Sequence, residues 1–245
     1  MSGGSSELNL NGGTLTVNVG TTSNLSSSST NIDFSRINGK ITGATGNLIV
    51  KSPTATSSTP GYFSLIASGT GGQSTFGGTI TIGSNVIFSF GGINGLYGSN
   101  SETTTGLSFA GTGPIVNNGT LLIGSLKGTG LNAQTYSNVI SGTGNVQINT
   151  DNTVTFTGNN SYTGVTTISG GILSVSSINN GGSSGNLGMA SNVASNLVLD
   201  GGTLQYTGAA VTTDRLLTLT TKGGTIDASG AGALSFSGPG SVAFT

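Results

Sequence analysis

The chain has 245 residues, of which six are basic and seven acidic, and it contains neither histidine nor cysteine. With a formal net charge of −1 it has no basic stripe to displace counterions from phosphates, so neither nucleic acid nor anionic lipid is an expected partner. The missing His and Cys also exclude Ser-His and Cys-His nucleophile pairs and His-based metal sites, and no cofactor is expected.

Gly, Ser, Thr and Asn number 45, 36, 38 and 24, more than half of the chain. This bias does not mean disorder, because 33% of residues are hydrophobic, the net charge is near zero and the apolar residues recur regularly. A surface with so few charges must be kept wet by hydroxyls and amides. The start, Met1 to Ser6, reads as an expression scar or a trimmed mature end. No run approaches the ~20 apolar residues of a membrane-spanning helix, so this segment is not expected to insert into a membrane.

The predicted elements are short strands in which apolar residues alternate with Thr, Ser or Asn, so that one set faces inward. In chain order they carry Leu15/Val17/Val19, Ile80/Ile82, Val86/Phe88/Phe90, Val146/Ile148, Val154/Phe156, Leu173/Val175, Leu197/Leu199, Leu204/Tyr206, Leu217/Leu219, Leu234/Phe236 and Val242/Phe244. A last strand is expected over Ser235–Thr245, and helix content close to nil. A repeated turn precedes many strands: Asn11-Gly12-Gly13-Thr14-Leu15, Gly77-Gly78-Thr79-Ile80, Asn118-Gly119-Thr120-Leu121, Asp200-Gly201-Gly202-Thr203-Leu204 and Lys222-Gly223-Gly224-Thr225-Ile226. Glycine accepts positive φ there and a β-former restarts the strand.

The irregular spacing of these units fits a parallel β-solenoid better than a hairpin sandwich, since loops can enter at any corner. Coils of about 20–25 residues would give on the order of ten coils and a rod about 50 Å long. Ser23–Thr30, Ser52–Pro60, Ser99–Gly106 and Asn179–Gly185 read as protruding loops. One solenoid is expected over residues 1–245, with clear repeats over 138–245 and divergent coils over 1–137.

The stretch Val154–Val175, VTFTGNNSYTGVTTISGGILSV, resembles the autotransporter-associated β-strand repeat. Phe156, Gly158, Asn160, Tyr162, Thr163, Gly164, Thr166, Thr167, Ile168, Gly171, Leu173 and Val175 occupy its pattern. The resemblance implies a right-handed parallel β-helix, exported to the bacterial cell surface as the passenger of an autotransporter. Gly158, Asn160 and Gly164 are expected to build a corner, with Tyr162 packed over an adjacent coil.

Chemistry-bearing patterns are few. Gly181-Gly182-Ser183-Ser184-Gly185 has the Gly-x-Ser-x-Gly spacing, but no base is available and it reads as a flexible corner. The acids are Glu7, Asp33, Glu102, Asp151, Asp200, Asp214 and Asp227. Asp200 and Asp227 would come together if one coil spans the distance between them, as a glycosidase pair requires. The blander expectation is that Asp200 caps its own Asp-Gly-Gly turn. Asp214-Arg215 reads as a solvated corner pair of little energetic weight.

No catalytic, cofactor-binding or metal-binding residue is therefore assigned. The expected function is a non-catalytic structural or adhesive surface segment whose polar faces bind glycans or other cell-surface polymers. The alternative is a self-assembling extracellular fibre joined head to tail, and a carbohydrate-active β-helix enzyme comes third.

Overall fold

A computed structural model describes residues 7–20, 35–38, 40–66, 75–90, 111–124, 133–230 and 232–245. The loops expected at Ser23–Thr30 and Ser99–Gly106 lie outside the described residues. The chain is all-β: a single 3-10 turn, Ala194–Asn196, is the only helical element among the described residues. Every strand ladder described is parallel, and no hairpin is present among them. The one antiparallel contact is an isolated bridge between Asn160 and Gly185. This rules out a sandwich of hairpins for the described residues.

Strands stack in register. On one sheet Thr14–Asn18 lies under Asn47–Lys51, which lies under Thr79–Ile82, then Ile115–Asn117 and Ile140–Ser141. A twelve-stranded sheet runs from Ser35–Asn38 through Gly61–Ile66, Val86–Phe90, Thr120–Gly124, Asn145–Phe156, Thr166–Val175, Leu197–Leu199 and Thr218–Leu219 to Ala243–Phe244. That path crosses nine strands, about 40 Å at the usual ~4.8 Å spacing. Bonds between adjacent layers span 20 residues from Val165 to Asn145 and 33 from Asn47 to Thr14, so extra residues are accommodated between layers. The ten-residue strand Thr166–Val175 pairs with two strands of the next layer, Leu197–Leu199 and Thr203–Tyr206, separated by the Asp200-Gly201-Gly202 turn. There Gly201 has φ +107°, as Gly12 and Gly223 at the equivalent turns have +85° and +72°, a region that side chains disfavour.

The alternation seen in the sequence resolves into apolar columns. Leu65, Phe90, Ile123, Ile148, Ile168 and Leu199 stand one above another and all are buried. Beside them Val154, Leu173 and Leu204 form a second buried column. Aromatic rings fill the lower half: Phe63, Phe88, Phe90, Tyr136 and Phe156 follow one another with centroids 5.1–6.1 Å apart. Such offset and edge-on contacts add to the burial of the rings themselves. At one corner the layers approach so closely that a side chain on Gly144 would strike the carbonyl oxygen of Gly119, and one on Gly164 that of Gly144.

The strand expected over Ser235–Thr245 is a correction. Two short strands replace it, Leu234–Phe236 on Val211–Thr213 and Ala243–Phe244 on Thr218–Leu219, with Gly238 and Gly240 in the turn between them. Alternation is also not enough for burial here, since Ile226, Phe236, Val242 and Phe244 are exposed.

Candidate functional site

The residues of the resembling repeat build a corner tied to three layers. Asn160 is buried; its Oδ1 accepts from Ile140 N at 2.9 Å, and its Nδ2 donates to Asn186 O at 2.9 Å. Its backbone also exchanges two hydrogen bonds with Gly185. Tyr162 is fully buried, and its hydroxyl is 2.7 Å from Thr166 Oγ1. Burial pushes the phenol up to about 12. Its ring lies against Gly188 in the next layer, where a Cβ would meet it at 2.8 Å. Packing over an adjacent layer is thus what Tyr162 does.

Between the layers of Val175 and Leu197 the chain makes an excursion, residues 176–196, which contains the Gly-rich pentapeptide. That segment is tied down rather than loose. Gly181 N donates to Asp214 Oδ1 at 2.7 Å, Gly182 N to Ala190 O and Gly185 N to Asn160 O. Asn186 holds the base of the excursion, its Oδ1 accepting from Ser176 N and Ser177 N and its Nδ2 reaching Gly158 O.

Arg215 overturns the solvated corner pair. It is 3% exposed, and its guanidinium donates to three backbone carbonyls of the excursion: Asn179 O at 2.8 Å, Gly188 O at 2.7 Å and Ala190 O at 3.3 Å. Thr213 Oγ1 adds a fourth tie to Asn179 O, and Asp214 N donates to Asn180 Oδ1. Burial lowers the Arg215 pKa, yet the group stays cationic, its charge met by carbonyl dipoles. The triplet Thr213-Asp214-Arg215 is therefore a clamp on the preceding excursion.

The two carboxylates that a glycosidase reading needs are kept apart by register. Asp227 faces Gln205, while Asp200 looks across to the next Gly-Gly turn. Asp200 accepts from Lys222 Nζ at 2.7 Å and Thr220 Oγ1 at 2.6 Å, so it ties two layers together instead of capping its own turn. Those two hydrogen bonds, Lys222 first, hold its carboxyl below the ordinary range. Asp227 accepts from Ser229 Oγ, Ser229 N and Gln205 Nε2, which brings it down to about 2. A general acid needs the opposite shift. Among the described residues no group of three or more His, Cys, Asp or Glu is placed to hold a metal ion.

Over 187 residues the chain is 36% identical to the adhesin BmaC autotransporter of Brucella suis, a match that covers 71% of the chain. The chain is thus similar to a segment of an autotransporter adhesin, and the match is consistent with a surface-exposed, extracellular passenger segment. It spans 5% of the length of that relative. No family model and no solved structure matches it.

Proposed function

We propose that the chain is a right-handed parallel β-helix and serves as a non-catalytic adhesive segment of an autotransporter-like surface protein. The observation that carries this reading is the 36% identity to an autotransporter adhesin across most of the chain. The parallel ladders, the stacked apolar columns and the layer-to-layer turns support the helix. The surface supports contact with neutral polymers: the partly exposed Gln147 and Thr167, in register on adjacent layers, and Thr155 and Gln205 present amides and hydroxyls. Glycans offer matching donors and acceptors at a similar density, and many weak hydrogen bonds would sum along such a face.

The test is binding of the purified chain, immobilised on beads, to bacterial or host cells and to neutral polysaccharides. Adhesion that persists at high salt is expected, because few charges are available to be screened. Beads that hold no more than beads bearing an unrelated Thr-rich protein contradict the reading. Hydrolase and lyase assays on the same polysaccharides are expected to stay at buffer level.

A further inference from the structure

We propose that Asn180-Gly181 is a self-modification site, at which the Asp214 carboxylate acts as the base that closes the Asn180 side chain onto the following peptide nitrogen and expels ammonia. Both groups that must join are held by this one residue, far away in sequence. Gly181 N donates to Asp214 Oδ1 at 2.7 Å, and Asn180 Oδ1 accepts from Asp214 N at 3.0 Å. The carboxylate therefore sits on the proton that the attacking nitrogen must lose. The Asp214 N–H sits on the oxygen where negative charge develops during the attack. Asn192 Nδ2 lies 3.4 Å from the other carboxylate oxygen and steadies it.

The surroundings fit the reaction. The main chain is fixed on both sides of the pair: Arg215 Nε and Thr213 Oγ1 donate to Asn179 O, Ser183 N to Asn180 O and Gly182 N to Ala190 O. Partners ordered beforehand lose less entropy when the ring closes. Position 181 is closed to other residues, since a side chain there would strike Asn192 N, and glycine leaves the attacking nitrogen unhindered. Asn180 is exposed, so water reaches the ring once it has formed. The pairs Asn11-Gly12 and Asn118-Gly119 lack such a base: Gly12 N donates to Thr45 O and Gly119 N to Asn117 Oδ1, both neutral amide oxygens.

The step balances with water as the only co-reactant. The Gly181 N–H proton passes to Asp214 Oδ1 as the bond from Gly181 N to Asn180 Cγ forms. The Cγ–Nδ2 bond then breaks, and ammonia leaves with that proton, which restores the carboxylate. Water opens the resulting succinimide on either side. Opening at Cγ leaves an aspartate at position 180. Opening at the main-chain carbonyl leaves an isoaspartate, with the backbone rerouted through the side chain and lengthened by a methylene. Either product sets a second negative charge against Asp214, inside the excursion that Arg215 clamps, and like charges at that distance repel. None of this depends on adhesion: a chain that binds nothing would still modify itself.

Ageing the whole chain at neutral pH, followed by digestion and mass spectrometry, tests the proposal. The readout is the mass change when ammonia is replaced by water, together with the separately eluting isoaspartyl peptide. Modification at Asn180 is expected to run at least about tenfold faster than at Asn11 or Asn118. Asp214→Asn keeps an acceptor for Gly181 N and the donor to Asn180 Oδ1 but removes the base, and should slow Asn180 at least about tenfold. Ageing the parent chain in urea is a second measurement that needs no variant. There the three pairs lose their surroundings, and Asn180 should slow to the rate of the other two. The proposal is overturned if Asn180 reacts no faster folded than in urea, if Asp214→Asn reacts as fast as the parent chain, or if the chain instead breaks after Asn180 with its nitrogen retained.

Discussion

Leu199 and Phe244 stand in the same inward column, two layers apart, and follow the same alternation of apolar and polar residues. One is fully buried and the other is 76% exposed. The difference is one of neighbours. In a stack of parallel strands each residue is covered by the layers below and above it, so alternation supplies the direction of a side chain and stacking supplies its burial. The interior layers have both; the terminal layer has only the first. Stability should therefore be concentrated between residues 140 and 217 and fall away towards Phe244.

Truncation is the sharpest way to break this comparison. Leu199→Ala removes a side chain enclosed on both sides and is expected to cost about 2–5 kcal/mol. Phe244→Ala removes a larger group and should cost no more than about 0.5 kcal/mol. Urea unfolding of the two variants checks this, and equal losses would show that the terminal layer is as well packed as the interior.

The clamp should come next in size. Arg215→Met keeps much of the side-chain bulk but leaves the carbonyls of Asn179, Gly188 and Ala190 without their donor, for an expected loss of about 2–4 kcal/mol. Limited proteolysis should then cut within residues 179–193 before anywhere else in the interior. Cleavage confined to the C-terminal layer would show that the excursion holds without Arg215.

The smallest effects belong to the half-buried carboxylates Asp200 and Asp227. Lys222→Ala should cost less than about 1 kcal/mol, because the Lys222 side chain is 66% exposed. Asp200 and Asp227 both have folded pKa values below the unfolded value of about 3.9. Their contribution is complete above that value and is lost as pH falls through the folded pKa, which for Asp227 is about 2. Stability should accordingly fall between about pH 4 and pH 2. Asp227→Asn should flatten part of that slope, and a variant with an unchanged profile would show that the Ser229 and Gln205 bonds do not persist in solution.

Much of this fold is legible in the residues. Alternation at Leu173/Val175 and Leu204/Tyr206, with Gly-Gly turns between strands, marks inward faces and parallel layers, and the structure buries all four side chains. The role of Asp200 was within reach as well. Its turn and that of Lys222 share one pattern 22 residues apart, and the same offset sets Asp227 against Gln205. Arg215 was not. Its partners are main-chain carbonyls contributed by residues 179, 188 and 190, which carry no side-chain signature, and its sequence neighbour Asp214 suggested a surface pair instead. The exposure of Phe244 was hidden for a different reason, since local alternation carries no information about how many layers lie above it.

Residue-resolved amide hydrogen exchange on the purified chain tests most directly whether covered layers hold the molecule together. Slow exchange is expected throughout Asn145–Phe156 and Thr166–Val175, with protection declining through Thr218–Leu219 and lost at Ala243–Phe244. Uniform protection up to Thr245, or exchange in the Thr166–Val175 strand as fast as in the last layer, would contradict the account.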